Sequence, residues 1–578
     1  MPTSDLSYNL MDRPWIPVTM ADGSFQCLSI VEVLERADRI HSIDGDIPLQ
    51  RFALVRLLLA IIYGTFGHLC VSEQSDQDYD DVSHWKMLFG SGSERREDVL
   101  PALLNYCSYY RERFDLFDNA APFYQVSGLH TAKDEVSGLE RLILDVPNGK
   151  KFFTTRIGEG LATMSAAEAA RWLVTLQAFD ASGIKSGAVG DPRVKGGKGY
   201  PIGVAWAGHL GGDLVEGSNL WQTLILNYVG VGVLGLDDGS VWNDNEDVPI
   251  WERDPLTAQA EVGLDQPAEK TGHTVSFLGP ATLLTWQSRR VLLAHDGETV
   301  TGVLICNGDR LKPQNAHQYE TMTSWQRSDA QEKKLKMSLV YMPRKHDPSR
   351  ALWRGLPTLI VDEHARAEHG SEPPKALRPL TLRWLDKVNI GELPIRLHAF
   401  GVEYRSKEKE AVVDTTVDDV LDLNLTVLSS QHPELGGVVC DAVGMVDNGV
   451  QELRNLAGNI AIAAGLPVDG PRTRAADTGY TAFDSAFRRW VRGIDSDADV
   501  EEVRQKWSTT VRRILFRLGN QLAAQASSRA IVGRDITRRN PKTGASTTTH
   551  YCVALAEIWY RGRINKLIPE VTNEGENE

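Results

Sequence analysis

The chain has 578 residues, 42 % hydrophobic and 24 % charged, the balance of a soluble globular protein too long for a single core. Six scattered cysteines without a CxxC pair argue against a zinc knuckle or a disulfide framework and fit a reducing cytoplasm. A net charge of −15 speaks against a nucleic-acid binder until its distribution is followed along the chain.

Residues 1–400 read as mixed α/β. The opening MPTSDLSYNLMDRPW lacks the basic and apolar regions of a secretory signal. Short β-like runs at Trp15–Val18, Ala281–Trp286, Val291–Ala294, Gly302–Cys306 and Ser338–Tyr341 are interleaved with helical pieces. Those pieces are Leu28–Ala37, Gln50–Tyr63, Val99–Tyr110, Ala166–Ala178 and Ser218–Tyr228. The most apolar run, Leu57–Gly67, is too short for a bilayer and reads as a buried helix. Gly-, Pro- and Asp-rich loops fall at 182–201, 229–247 and 366–379.

The first of these loops, SGIKSGAVGDPRVKGGKGYP (Ser182–Pro201), sets five glycines up to Lys198 among Lys185, Arg193, Lys195 and Lys198, with Asp191 as its one acid. Glycine lets main-chain N–H groups approach another surface closely, and the neighbouring cations favour an anion. GxxxxGK[ST] is absent because Gly199 follows Gly197–Lys198, and GxGxxG is absent too, so the loop is not a nucleotide cradle. A mobile basic loop that meets a phosphate backbone is the functional reading; a solvated connection is the plain one.

Further on, Lys333, Lys334 and Lys336 lead into SLVYMP, and LHAFGVEYRSKEKEAVV (Leu397–Val413) reads as a hairpin. Its arms are Leu397–Val402 and Ala411–Val413, and its charged tip is Arg405–Glu410, suited to a groove or to insertion between strands. From about Asp418 helical periodicity takes over, with helices near 436–465, 479–493, 499–528 and 548–567. In the third, Trp507, Val511, Ile514, Leu518 and Leu522 mark a buried stripe, with Arg504, Arg512 and Arg513 largely off it. The linker 529–547 reads as basic, flexible and exposed. Between residues 503 and 566 thirteen Lys and Arg face only Asp535 and Glu557, so a strongly basic segment sits in an acidic protein.

Catalytic patterns are scarce. GxSxG and HExxH are missing, and neither His295–Asp296 nor His346–Asp347 has a partner at ligand spacing. His273, His346 and His398 read as surface or core histidines rather than ligands. Asp44 with Asp46, Asp78 with Asp80, and Gly235–Gly239 read as turns. No local motif demands an enzyme, although carboxylates assembled by folding stay open.

In chain order, RPWIPV (Arg13–Val18), APFYQV (Ala121–Val126), VSFLGPATLLTWQSRRVLL (Val275–Leu293), PRKHDP (Pro343–Pro348), FGVEYRSKEKEA and TAFDSAFRRWV (Thr481–Val491) resemble the CasA family. These are the large subunits of type I-E CRISPR Cascade surveillance complexes, and the resemblance covers nearly the whole chain. It implies an α+β fold: a large mixed α/β N-terminal domain (1–412), a C-terminal four-helix bundle (413–570), and an acidic tail (571–578). It also implies a subunit that is not an enzyme, with no cofactor. Such a subunit checks duplex DNA for a protospacer-adjacent motif from the minor groove.

By that resemblance Ser182, Gly183, Lys185, Ser186 and Gly187, with Lys195, Gly196 and Gly197, fall in the family's glycine loop. Lys333 matches its lysine finger, with Lys334 and Lys336 as alternates. Arg405, Ser406 and Lys407 fall at its wedge tip, where the family carries a glutamine. Phe153, Thr154 and Thr155 align with a loop that anchors the subunit near the 5′ end of the guide RNA. Arg512, Arg513 and Arg517 of the basic bundle are expected to hold the displaced strand or the duplex through phosphates.

The partners implied are the other Cascade subunits (backbone, small-subunit dimer and 5′-handle-binding subunit), CRISPR RNA, target duplex DNA with its displaced strand, and a helicase-nuclease. No membrane is implied, and a cytoplasmic location is. Some relatives carry a cysteine-rich zinc site before the lysine finger; here that interval has only Cys306, so no metal is expected. Two other readings remain, a metal-dependent nucleic-acid enzyme and a scaffold for protein and guide RNA alone.

Overall fold

The computed structural model describes residues 6–67, 81–90, 96–146, 158–230, 233–234, 247–260, 279–360, 373–407, 410–539 and 546–569. Its packing separates two units. The first holds residues 1–350, 362–390 and 395–420; the second holds 351–361, 391–394 and 421–578.

In the first unit, β1 (Ile16–Met20) lies between β2 (Phe25–Leu28) and β3 (Ile40–Ile43), all antiparallel. Trp15, Ile16 and Val18 of the WIPV segment are buried there. Helix α1 (Ile30–Glu35) starts at a capping box in which Ser29 and Glu32 satisfy each other's backbone N–H groups. Helix α2 (Pro48–Phe66) begins on a proline and is apolar on every face, so it is long and apolar enough to cross a membrane. Yet 89 % of that stretch is buried inside the protein. The buried-helix reading of Leu57–Gly67 therefore holds, but the helix is nearly twice as long as that run.

Helix α2 also carries a buried charge. Arg56 donates to both carboxylate oxygens of Glu320 at 2.9 and 3.0 Å, and the Trp206 indole N–H donates to the same acid at 2.8 Å. Helices α3 (Asp81–Gly90) and α4 (Arg96–Tyr109) follow. Helix α5 (Ala166–Phe179) is capped by Ser165 and stops at Asp180, whose backbone turns to an extended ψ.

A second sheet links β4 (Met164–Ser165), β5 (Lys185–Ser186), β6 (Lys198–Gly199), β8 (Arg289–Asp296) and β9 (Thr299–Asn307). The third is the short strand β7 (Gly212–Glu216), followed by helix α6 (Leu220–Asn227), with β13 (Pro394–Lys407) and β14 (Glu410–Asn424) beside it. Strands β10 (Trp325–Arg327), β11 (Tyr341–Pro343) and β12 (Ala376–Leu377) make another.

Several expectations change. Ala281–Trp286 is not a strand: Pro280–Leu284 is a helical turn, because Gly279–Pro280 opens it and Asp247 accepts from the N–H groups of Ala281 and Thr282. Ser338–Tyr341 is a strand only from Tyr341. The hairpin arms extend far beyond the apolar segments, since the polar residues of β14 alternate outward along a ribbon.

In the second unit, helices Pro433–Ala464, Asp469–Arg492, Val500–Ala524 and Val553–Leu567 form the bundle. Trp507, Val511, Ile514 and Leu518 are buried as the spacing predicts, whereas Leu522 is only half-buried. Phe487 stacks on Trp353 and meets Trp507 edge-on, which accounts for the apolar positions of TAFDSAFRRWV. The described residues of the expected flexible linker 529–547 are instead the end of a short helix, Ser528–Val532, and parts of two paired strands. Those strands are β15 (Arg534–Arg539) and, antiparallel to it, β16 (Ser546–Tyr551). Ile536 opposite Thr549 and Thr537 opposite Thr548 carry the β propensity that the segment's net charge conceals.

Candidate nucleic-acid interface

The glycine loop is built rather than loose. Gly196 and Gly197 both have positive φ, 58° and 71°, the requirement of a two-residue turn between antiparallel strands. Lys195 and Lys198 close it with backbone hydrogen bonds of 3.1 and 3.2 Å. The turn folds back on Gly187, whose N–H donates to the Gly197 carbonyl at 3.1 Å. A Cβ at Gly187 would sit 2.6 Å from the Gly197 carbonyl carbon, so only glycine allows the approach. Ala188 then enters a buried cluster with Val126, Leu129, Leu304 and Cys306. Two halves of the loop separated in sequence are thus one clamped unit, and the expectation of a mobile loop is corrected.

The loop's basic residues fall into two kinds. Lys185 was expected to face DNA, but its ammonium lies 2.5 Å from Asp180, which Arg289 also bonds. Burial pushes the Lys185 pKa down, partly opposed by Asp180. Burial also pushes the Asp180 carboxyl up, but the two cations outweigh it and hold the group below the usual carboxylate range. Arg193 is likewise paired with Asp191 at 3.0 Å. Lys195 and Lys198 are exposed and form no ion pair with a described residue. Ser182, Gly183 and Ser186 are half-buried along the loop's root.

The lysine segment forms a short helix, Asp329–Leu335, capped by Ser328 and set in the connection between β10 and β11. Arg327 binds Glu332 at 2.8 Å and fixes the helix to its strand. Lys333, Lys334 and Lys336 point to solvent without an ion pair to a described residue. Lys336 itself is the left-handed cap, with φ 57°.

The hairpin presents Arg405 near its tip, where Asp414 of the opposite strand neutralises it at 2.8 Å. The backbones of Ser406 and Lys407 end β13, and residues 408–409 lie outside the described residues. One residue before Arg405, the Tyr404 hydroxyl donates to the Phe179 carbonyl at 2.6 Å. Burial, helped by the nearby Asp180 charge, raises the Tyr404 pKa well above the ordinary tyrosine value. Phe179 ends α5, and the Asp180 carbonyl accepts from Ala205 N–H at 2.9 Å. The hairpin, close to its tip, and the start of the glycine loop therefore share one anchor at the α5 terminus.

Strand β7 ties in the third segment. Its Gly212–Glu216 pairs with Phe400–Arg396 of β13. On its other side Asp213 N–H donates to the Met322 carbonyl at 2.8 Å, and the Ser324 hydroxyl donates to the Asp213 carboxylate at 3.1 Å. Past β11, His346 Nε2 lies 3.1 Å from the Gly212 carbonyl and 3.2 Å from Asp213, while Lys345 donates to the Gly208 carbonyl at 2.7 Å. Burial lowers the His346 pKa, but the Asp213 charge and the hydrogen bonds raise it on balance. The hairpin and the finger segment, far apart in sequence, are thus both rooted on β7, while the glycine loop meets the hairpin at the α5 terminus.

His398 is a core histidine, as expected, and it is a clamp. Its ring bonds Glu216 of β7 at 2.9 Å and Asp418 of β14 at 2.5 Å, and Arg51 binds Glu216 at 2.7 Å. Tyr404, Asp180, Arg289 and Lys345 escaped the sequence reading because their partners lie far away in the chain; the PRKHDP motif was the one local signal. Phe153, Thr154 and Thr155 lie outside the described residues. Among the described residues no cluster of three His, Cys, Asp or Glu could hold a metal ion.

In the second unit Arg513 and Arg517 lie one turn apart, exposed and without an ion pair to a described residue. Arg512 differs. It donates to Asn565 at 2.7 Å and to the Ile568 carbonyl at 3.0 Å, so it fastens the last bundle helix.

This arrangement, a mixed α/β unit with three rooted basic segments and a helical bundle, matches a known class. The family model for CRISPR-associated protein Cse1 covers residues 9–518, and the chain belongs to that family. It is 26 % identical over 557 residues to CRISPR-associated protein CasA/Cse1 of Thermus thermophilus, covering 91 % of this chain and 97 % of that protein. The crystal structure of Thermobifida fusca Cse1 is 37 % identical and superposes with a TM-score of 0.82 over 99 % of this chain and all of the other. A chain in a structure titled CRISPR RNA-guided surveillance complex shares the fold, with 16 % identity, 97 % and 99 % coverage and a TM-score of 0.67.

Proposed function

We propose that this chain is the large, non-catalytic subunit of a type I-E Cascade complex, and that it recognises a protospacer-adjacent motif in duplex DNA. The observation that carries the reading is the rooting of the glycine turn, the finger helix and the hairpin on β7 and the α5 terminus. A shared rigid root lets three segments address one duplex together. The minor groove offers a degenerate acceptor pattern, which main-chain N–H groups at Gly196–Gly197 and an unpaired lysine at Lys333 suit. Loose reading serves a sensor that tolerates related motifs. The hairpin tip at Arg405, Ser406 and Lys407 then enters between the first base pairs, at a cost of a few kcal/mol of unstacking. Guide pairing elsewhere in the complex reads the sequence itself.

Arg513 and Arg517 supply a sequence-independent phosphate contact for the displaced strand or duplex. Phe153, Thr154 and Thr155 are proposed to dock the chain on the guide-binding subunits, and the bound complex to recruit a helicase-nuclease in the cytoplasm. The test is footprinting of the assembled complex on duplexes with systematically varied flanking bases. Protection that depends on those bases, and loses the dependence in Lys333→Ala, supports the reading. Equal protection of every flank with both proteins removes it.

A further inference from the structure

Beside the glycine turn stands an aromatic side chain with no role so far. Tyr200 is 55 % exposed, and its ring has neither a hydrogen bond nor an aromatic contact with a described residue. Its backbone is the opposite of free. The Asn307 side-chain amide, from the end of β9, donates to the Tyr200 carbonyl at 2.6 Å. Gly199 is buried against that amide so closely that a Cβ would lie 2.8 Å from its nitrogen. Alternation along the strand then places Lys198 and Tyr200 on the same outer face, with Gly199 turned inward. The result is an exposed lysine and an exposed tyrosine two residues apart on a fixed backbone, next to the two exposed glycines of the turn.

Resting on the reading above, we infer that Lys198 and Tyr200 form a capture site for an unpaired DNA base at the step the hairpin opens. The ring stacks on the face of the base, and Lys198 neutralises its phosphate. Every base has a π-face, so such a contact holds a strand open without reading sequence. A phenol two residues from a groove-facing turn serves a nucleotide leaving the stack better than a paired one, whose faces are covered by its neighbours. Tyr200 thus acts after recognition, and its contribution is absent from binding to closed duplex.

The experiment uses the full chain with two 30-base-pair DNAs, one fully paired and one carrying a three-base bubble with 2-aminopurine at an unpaired position. Wild type is expected to quench the 2-aminopurine and to prefer the bubble. Tyr200→Ala is expected to lose the quench and about tenfold of bubble affinity, with paired-duplex affinity unchanged. Tyr200→Phe keeps both. Lys198→Ala weakens the two DNAs alike. Unchanged quenching in Tyr200→Ala, or equal loss on both DNAs, overturns the capture site. If Lys333→Ala still abolishes motif dependence in the footprint while Tyr200→Ala is silent, the capture site falls and the recognition reading stands. If wild type binds neither DNA, the capture site falls outright, while motif-dependent protection in the complex decides the recognition reading separately.

Discussion

The two basic regions of this protein handle charge in opposite ways. In the first unit several cations are neutralised internally: Lys185 and Arg289 by Asp180, Arg193 by Asp191, Arg405 by Asp414. Lys195, Lys198, Lys333, Lys334 and Lys336 form no ion pair with a described residue and stand on rigid supports. On the bundle, Arg513 and Arg517 simply project from a long helix with one apolar stripe. The first design suits position-dependent reading, because each free charge is placed to within the precision of a sheet and a closed turn. The second suits contact by charge alone. A net charge of −15 is compatible with both, since steering depends on where the unpaired cations stand rather than on the total.

The contrast can be broken hardest at the anchor. Asp180→Ala leaves Lys185 and Arg289 as uncompensated buried cations and should cost about 3–5 kcal/mol of stability, read by denaturant unfolding. Arg513→Ala should cost almost nothing by the same measurement, as a surface change without a partner. Next in size, Gly187→Ala forces the turn off its seat and should destabilise by about 1–3 kcal/mol. Motif discrimination should fall with it even where the fold survives, whereas affinity for random duplex should change little.

Substitution of the unpaired cations separates the regions by function. Lys195→Ala or Lys333→Ala should weaken motif-bearing duplex roughly tenfold more than random duplex, each contact being worth about 1–3 kcal/mol of discrimination. Neutralising Arg513 and Arg517 should weaken both duplexes equally and flatten the salt slope by about one unit per residue. Arg512→Ala should instead lower thermal stability, because it unties the last helix. A uniform loss for Lys333→Ala would erase the distinction between the two regions.

The smallest effect concerns pH. At His398 burial lowers the pKa, but the bonds to Asp418 and Glu216 raise it on balance. A histidine raised above its unfolded value of about 6.5 gives stability that is complete below that pH and is lost as pH rises through the folded value. His398→Gln should therefore cost more at pH 6 than at pH 8.5, on the order of 1 kcal/mol, measured by paired unfolding curves. An identical cost at both pH values would show that the ring is neutral and merely packed.

Much was legible in the chain itself. The bundle helices announced themselves through an apolar stripe at three- and four-residue steps, a local signal that needs no partner to interpret. The tight turn was not legible: glycine permits many conformations, and the Gly187–Gly197 contact that closes the loop joins residues ten apart. The segment Pro280–Leu284 was misread because a short apolar run has no period; a buried Asp247 some thirty residues away made it helical. Arg534–Tyr551 was misread because charge and glycine content hid strands whose pairing is with each other.

Composition, periodicity and motif order in this chain settle its class and point to the basic segments, because those properties are written in neighbouring residues. Folding alone sorts the cations. Whether Lys185 faces water or Asp180, whether Arg512 contacts a ligand or Asn565, and whether three distant segments share a root are questions of long-range pairing. An ion pair or a strand register between residues a hundred positions apart leaves no local trace.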